Sequence, residues 1–178
     1  MKNLSFKMLS LCLLLLSITA CQKDAEEVFD GIPVYEVFSY EKTPCFGYCP
    51  VYTFSLLSDG TACLSQKGTP TELLGRSTST ACISNKIHIW NKIKNKAKAI
   101  NFHKLSNVYP NDGSIVVDIS KSIINIHLDG KLLRVEDCLG APPELDGFED
   151  YIEKLIEEFR IELPKEVNNE KIAALHTN

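Results

Sequence analysis

The sequence is organised around a short loop, residues 43–50, in which two cysteines are enclosed by prolines. Pro44 precedes Cys45, and Pro50 follows Cys49. Proline cannot donate a backbone hydrogen bond, so it is unsuited to the middle of a sheet. The loop therefore fixes where the first strand of the domain ends and where the second begins.

Strand patterns surround this loop. They cover residues 34–40, 51–57, 61–66 and 72–81. The second of them alternates strictly, which places Tyr52, Phe54 and Leu56 on the face expected to be buried. Asp59-Gly60 follows it and is a strong signal for a hairpin turn.

A first helix is predicted after these strands. Ser84 is the predicted N-cap, because its hydroxyl can accept a hydrogen bond from a free backbone N–H. An apolar face follows at helical spacing, formed by Ile87, Trp90, Ile93 and Ala97. The remaining positions are rich in lysine, which we interpret as a solvated face. A short turn is predicted at residues 102–105.

Three further strands and a second helix complete the prediction. The strands cover residues 115–120, 122–128 and 131–137, and Asp129-Gly130 is a second hairpin signal. Asp146 is the predicted cap of the last helix, followed by an apolar stripe of Phe148, Ile152, Leu155 and Phe159. Its solvent side is expected to hold Glu149, Glu153, Glu157 and Glu158. The order strands, helix, strands, helix predicts an α+β domain, an antiparallel sheet with both helices packed on one face.

The N-terminus has the pattern of an export signal. Lys2 and Lys7 are followed by an apolar run, residues 8–18, which is shorter than the roughly 20 residues that span a bilayer. Residues 1–20 are therefore predicted to be a secretory signal peptide. Ile18-Thr19-Ala20-Cys21 resembles a bacterial lipobox, so we expect Cys21 to carry acyl chains such as palmitate that anchor the protein in a membrane.

The residues after Cys21 indicate the destination. Position 22 is glutamine, not the aspartate that commonly retains lipoproteins at the inner membrane, and Gln22-Lys23-Asp24 resembles a surface-export signal. We expect an outer-membrane lipoprotein at the cell surface, with the periplasmic face as the alternative. Residues 21–32 are predicted to be a flexible tether, 33–164 a single domain and 165–178 a polar tail.

Five cysteines are left once Cys12 departs with the signal peptide and Cys21 is lipidated. They are Cys45, Cys49, Cys63, Cys82 and Cys138. Disulfides are the default in an oxidising envelope, and an odd number leaves at least one cysteine without a partner in the chain. We interpret Cys45 and Cys49 as a small structural ring. Cys63 and Cys82 could face each other across two paired strands, and Cys138 is the candidate free thiol.

The charge and motif content disfavour several functions. Lys2 and Lys7 are two of the 19 basic residues, so beyond residue 20 the remaining 17 stand against 23 acids, a formal charge of −6. This argues against nucleic acid, whose phosphates need clustered positive charge. The Cys-x3-Cys spacing and scattered histidines predict no metal or cofactor, and metal capture by Cys45, Cys49 and a nearby histidine is kept only as a third, weaker alternative. No nucleophile elbow, zinc-protease motif or phosphate loop is present, so we expect a protein that is not an enzyme.

Several motifs together resemble a known family. They are Cys45-Phe46-Gly47-Tyr48-Cys49-Pro50, Ser58-Asp59-Gly60-Thr61, Leu128-Asp129-Gly130-Lys131 and Gly140-Ala141-Pro142. With this spacing, residues 35–160 resemble a family of uncharacterised bacterial lipoprotein domains with a Cys-Phe-Gly-x-Cys-Pro signature, a domain of unknown function. Tyr48 replaces a small residue of the family, and Cys63 and Cys82 are additions. The resemblance implies a fold and a membrane address, but no reaction.

Two functions follow as hypotheses. The first is a non-enzymatic binding or accessory domain, anchored by lipid and recognising a protein or glycan. The alternative is a thiol–disulfide redox protein of the envelope, in which Cys45 and Cys49 cycle between dithiol and disulfide. A reduction potential below about −300 mV is typical of a structural disulfide and would exclude the alternative.

Overall fold

The computed structural model describes residues 28–29, 32–67 and 78–163. The chain divides into two units, one ending at Val34 and the other beginning at Tyr35. In the first unit β1 (Val28–Phe29) pairs antiparallel with β2 (Ile32–Pro33), and the pair spans the predicted end of the tether at residue 32. The predicted signal peptide, Cys21, the first part of the 72–81 strand and the polar tail lie outside the described residues.

A sheet of seven strands forms the centre of the described part of the second unit. In chain order they are β3 (Glu36–Lys42), β4 (Val51–Leu57), β5 (Ala62–Lys67), β6 (Thr78–Ile83), β7 (Val108–Tyr109), β8 (Ser122–Leu128) and β9 (Lys131–Asp137). Their order across the sheet is β6-β5-β4-β3-β8-β9-β7. All neighbours are antiparallel except β7 and β9, which are parallel. The predicted α+β class and mostly antiparallel sheet are confirmed. The structure differs from the prediction in the short strand β7, which is parallel to β9.

One face of the sheet is apolar. Tyr52, Phe54 and Leu56 are all buried, as the alternation in β4 predicts. Phe54 lies between Tyr40 of β3 and Leu64 of β5 in the strand register, and both of these are buried too. The buried faces of both helices belong to the same apolar core.

Helix α1 (Ile87–Ala99) begins later than predicted. Ser84 is not its cap, because the residue before the helix is Lys86, whose N–H donates to the carbonyl of Gly60 over 2.7 Å. The β4–β5 turn thus holds the start of the helix. A Cβ at Gly60 would lie 3.3 Å from the backbone nitrogen of Ile87, so a glycine permits this close approach. The buried face also differs: Ile87 is exposed and Ile89 is buried.

Helix α2 (Pro143–Glu162) begins earlier than predicted. Asp146 lies inside the first turn rather than at the cap, since Pro143 suits the first helical position, where no N–H is needed. The predicted apolar stripe is confirmed: Phe148, Ile152, Leu155 and Phe159 are all buried. Glu149, predicted on the solvent side, is buried. Within the described residues, no helix is long and apolar enough to cross a membrane.

The predicted strand at residues 115–120 is wrong. This segment has no ladder partner, and β8 begins only at Ser122. Asp118 has a φ of 63°, in the left-handed region, which a continuous strand cannot contain. The predicted turn at residues 102–105 is confirmed as a 3₁₀ turn, Phe102–Lys104, with the ring of Phe102 buried 5.6 Å from that of Phe148.

Candidate binding surface at the disulfide loop

The loop between β3 and β4 is closed by a disulfide. The structure joins Cys45 to Cys49, with their Cα atoms 5.7 Å apart. Gly47 lies between them with a φ of 148°, a conformation that residues with a side chain rarely adopt. Its N–H donates to the carbonyl of Cys45 over 3.0 Å. We call residues 43–50 the clasp loop.

The clasp loop directs two aromatic rings into solvent. The side chains of Phe46 and Tyr48 are 90% and 83% exposed. Phe46 and Tyr48 each lie between a disulfide-bonded cysteine and Gly47. The disulfide restricts the backbone at these two positions, and it therefore also limits the directions in which the two side chains can point. Burying large aromatic side chains is favourable, and their exposure on a stiff loop is typical of a contact surface.

A second loop, residues 110–121, holds the clasp loop in place. Four hydrogen bonds join them. They are Thr43 N–H to Lys121 O at 2.9 Å, Lys121 N–H to Thr43 Oγ1 at 2.8 Å, Ser120 Oγ to Thr43 O at 2.6 Å and Phe46 N–H to Asp118 O at 3.2 Å. This second loop, which we call the facing loop, therefore uses its backbone and the hydroxyl of Ser120 to fix the clasp loop instead of forming the strand that its sequence predicts.

The facing loop adds aliphatic side chains to the aromatic ones. Ile115 is 90% exposed and Val117 is 67% exposed, and Ile119 is also exposed. The bond from Phe46 to Asp118 places Val117 and Ile119, the direct neighbours of Asp118, beside the clasp loop, and Ile115 lies three residues earlier on the same loop. Together Phe46, Tyr48, Ile115, Val117 and Ile119 form what we call the clasp surface.

The facing loop carries two unpaired acidic side chains. Asp112 and Asp118 are exposed on the facing loop. The lysines at its base are already paired with acids: Lys42 with two glutamates of α2, and Lys121 with Glu136 at 2.7 Å. These two lysines are therefore neutralised, whereas neither Asp112 nor Asp118 pairs with a described cation, and the aspartates give the facing loop a negative character.

A polar seam lies at the same end of the sheet. Four residues there are partners across neighbouring strands: Tyr52, Lys42, Ser122 and Asp137. Helix α2 meets this row with Glu149 and Glu153. Ser122 Oγ donates to Glu149 Oε2 over 2.6 Å, and Lys42 Nζ lies 3.0 Å from Glu153 Oε1. The hydroxyl of Tyr40 also donates to Glu153, over 2.9 Å. The polar seam thus connects helix α2 to the end of the sheet at which the clasp loop lies.

The seam contains three carboxyls with perturbed acidity. Burial acts to raise the pKa of Glu153, but the hydrogen bonds from Lys42 and Tyr40 outweigh it and lower that pKa. Burial raises the pKa of Glu149, and the hydrogen bond from Ser122 and the charge of Lys42 oppose this rise. Burial and the nearby charge of Asp146 raise the pKa of Asp137. Such perturbation is common at catalytic sites, but Ser122 is only 4% exposed and its hydroxyl is held by groups of the seam. A substrate cannot reach it in this arrangement, so the seam is better explained as a contact between helix and sheet.

The raised pKa of Glu149 leads to a prediction about stability. Because the native carboxyl holds its proton more tightly than the unfolded chain, its contribution to the free energy of unfolding falls as pH rises from the ordinary pKa of 4.5 toward the raised one. An amide does not titrate, so Glu149→Gln should gain stability relative to the wild type as pH rises through this window. Urea denaturation at several pH values between about 4 and 8 measures the difference.

The matched control is Glu158→Gln, at an exposed position of the same helix. Its difference from the wild type should not follow this trend. A constant difference in the free energy of unfolding between Glu149→Gln and the wild type, from the lowest pH to the highest, would contradict the prediction.

The other cysteines lie away from the clasp surface. Cys63 of β5 and Cys82 of β6 are direct register partners, and the structure joins them. They occupy strand positions that alternate with the buried Ala62 and Leu64, so they lie on the opposite face of the sheet. Cys138 is free and half-buried just after β9. Within the described residues, no three His, Cys, Asp or Glu side chains are grouped so as to hold a metal ion.

The clasp is predictable from the sequence, whereas the seam is not among the predicted features. Glu149 follows Leu145 by four positions and precedes Ile152 by three, a helical spacing that indicates the buried side. The spacing is therefore a usable signal, but the acidic character of Glu149 favours the solvent side. The exposure of Ile115 and Val117 has no comparable signal, because their spacing is that of a strand.

The fold and its surface define a small α+β domain with two disulfides and an exposed aromatic loop. The family model described as a domain of unknown function (DUF6438) matches residues 36–156, from β3 into α2. The chain therefore belongs to this family. Neither the curated proteins nor the solved structures contain a match to it.

Proposed function

We propose that this protein is a lipid-anchored lipoprotein of the outer membrane, displayed at the cell surface, and that its domain is a non-enzymatic binding or accessory module. The lipobox-like Ile18-Thr19-Ala20-Cys21 supports the anchor, and Gln22-Lys23-Asp24 supports the surface location. In whole cells, an added protease should then cleave the protein. Cleavage only after the outer membrane is broken would favour the periplasmic face.

The clasp surface is the observation that carries the binding function. Phe46 and Tyr48 are held outward by a disulfide ring that is itself bonded to the facing loop. A surface held in its binding conformation loses less conformational entropy on association, so more of the contact energy appears as affinity. Aromatic residues at the centre of an interface commonly provide most of that energy. We propose that the Cys-Phe-Gly-x-Cys-Pro motif, residues 45–50, serves the family in this way.

A protein partner fits this surface better than a glycan does. Ile115 and Val117 offer no hydrogen-bonding side-chain groups, which sugar hydroxyls would need, whereas apolar protein side chains pack well against them. The acidic rim of Asp112 and Asp118 favours a partner with basic residues around its contact patch, because complementary charges guide association. A second copy of this domain would bring the same negative rim and is disfavoured.

Combined replacement of Phe46 and Tyr48 by alanine is expected to weaken binding strongly without affecting folding. Loss of two aromatic anchors weakens an interface by about 2 kcal/mol or more, at least roughly 30-fold in Kd. Both side chains are exposed, so the free energy of unfolding should change by less than about 0.5 kcal/mol. The measurement is affinity capture from detergent-solubilised envelopes under mild cross-linking, followed by titration of the captured partner.

The matched control is Leu132→Ala, which removes an exposed apolar side chain of β9 away from the clasp loop. It should leave binding unchanged. If no specific partner is recovered, or if the double variant binds as well as the wild type, the clasp surface is not the binding site. The redox alternative is tested separately by the reduction potential of Cys45–Cys49. A value above about −300 mV would favour it.

A further inference from the structure

A concave site is formed by residues that are distant in sequence from the clasp loop. It has a volume of about 300 Å³ and lies where the end of α1, the 3₁₀ turn and the β8–β9 turn meet. Its lining residues come from all three elements. They are Lys98, His103, Leu128, Asp129, Lys131 and Leu133. This volume is at the lower end of the range for small-molecule sites, enough for a compact ligand and too small for a macromolecule.

The site combines an apolar floor with polar walls. Leu128 is buried at the end of β8, and Leu133 is half-buried in β9. Lys98, His103 and Lys131 are exposed around these two leucines. A ligand seated here would therefore meet hydrocarbon on one side and hydrogen-bond donors on the other.

The charge at the site is positive although the chain as a whole carries −4. Asp129 is the one acid that lines it, and Lys98 Nζ donates to Asp129 Oδ1 over 2.6 Å. The pKa of Asp129 is lowered by this hydrogen bond and by the charge of Lys98, with His103 and Lys94 adding to the effect. Lys131 makes no ion pair with any described residue. Because Lys98 is paired with Asp129, the unpaired cation that lines the cavity is Lys131 of β9, and Lys98 is the residue that α1 contributes.

We propose that this cavity binds a small organic anion, with a carboxylate or phosphate monoester head held by Lys98, His103 and Lys131 and a short apolar group packed on Leu128 and Leu133. The cations exclude a metal ion as the preferred occupant, and the leucines give no favourable contact to a bare inorganic anion. This site is independent of the clasp surface and adds a second ligand to the proposed function.

The test is calorimetric titration of the full chain with five probes: hexanoate, hexyl phosphate, hexanol, acetate and inorganic phosphate. Hexanoate or hexyl phosphate should bind at one saturable site. Hexanol lacks the charge, and acetate and inorganic phosphate lack the apolar group, so each should bind at least tenfold more weakly. Lys98→Gln combined with Lys131→Gln should weaken the best probe at least tenfold.

Lys92→Gln is the matched control, because Lys92 is an exposed lysine of α1 that does not line the cavity. It should bind the best probe as the wild type does. The proposal is overturned if neither six-carbon anion saturates, if hexanol binds equally well, or if Lys92→Gln weakens binding as much as the double variant. Titration with dihexanoyl-phosphatidylglycerol, a soluble lipid used below its micellar concentration so that no bilayer is present for the proposed lipid anchor, separates a free anion from a lipid headgroup. Binding of this lipid without binding of the free anions would also overturn the proposal.

Discussion

Replacing Phe159 by alanine is expected to lower the free energy of unfolding by about 3–5 kcal/mol. The side chain is fully buried on α2, and its ring lies 5.4 Å from that of Phe54 in an edge-to-face arrangement. Its removal takes away the apolar area buried between helix and sheet and leaves a cavity that rigid neighbours fill only in part. Domains of this kind are stable by about 5–15 kcal/mol, so the variant should come near the limit of folding.

Urea denaturation followed by circular dichroism measures this loss. Ile161→Ala is the matched control, because Ile161 belongs to the same turn of α2 but is 85% exposed, and its loss should cost less than about 0.5 kcal/mol. If Phe159→Ala costs less than about 1 kcal/mol, the second half of α2 does not pack on the sheet as described. Precipitation of the variant during purification, with Ile161→Ala well behaved, supports the same large loss.

The parts of the fold that were predictable from sequence rest on local patterns. The bounds predicted for β4, β8 and β9 match the structure residue for residue. Each of these strands adjoins an Asp-Gly pair, and glycine readily adopts the backbone that the turn requires: Gly60 and Gly130 have φ values of 83° and 78°. In these strands alternate residues are buried, and a specific turn connects each strand to its neighbour. Together these two constraints allow few registers of strand pairing.

Two of the incorrect predictions concern contacts that are distant in sequence. Ser84 has the chemistry of a cap, but the start of α1 is decided by the bond from Lys86 to Gly60, in the turn between β4 and β5. Residues 115–120 have a strand's composition, but the carbonyl of Asp118 accepts from Phe46 N–H and the hydroxyl of Ser120 donates to the carbonyl of Thr43. Neither partner can be identified from the local sequence, because each depends on how the sheet brings separate segments together.

The candidate site is predictable only in part, for the same reason. Cys45, Cys49 and the glycine between them predict a stiff loop, since the geometry of a short ring is local. The exposure of Phe46 and Tyr48 depends on the absence of any covering element among the described residues, which is a property of the whole fold. The cavity beside Lys98 has no local signal either, because its lining comes from three elements.

The two disulfides are expected to differ in their effects. Removing Cys63–Cys82 by alanine at both positions should lower the free energy of unfolding by about 3 kcal/mol, and the same change at Cys45–Cys49 by about 2 kcal/mol. The reason is loop length: the bonds span sequence separations of 19 and 4, and a longer loop restricts the unfolded chain more. Urea denaturation without reductant measures both, after mass spectrometry of non-reduced peptides has confirmed the bonds in the wild type.

Partner binding should be weakened more by loss of Cys45–Cys49 than by loss of Cys63–Cys82, the reverse of the order for stability. This difference separates a disulfide that orders the clasp surface from one that stabilises the fold. Loss of Cys45–Cys49 frees Phe46 and Tyr48 to sample many orientations, so capture of the partner should weaken although stability changes less. The Cys63–Cys82 disulfide lies on the face of the sheet opposite the apolar core. Its loss should therefore leave binding intact at temperatures where the variant is folded. If both variants bind equally well, the clasp is only a structural bond. If the Cys63–Cys82 variant is the weaker binder while folded, the recognition surface lies instead on the face of the sheet opposite the apolar core.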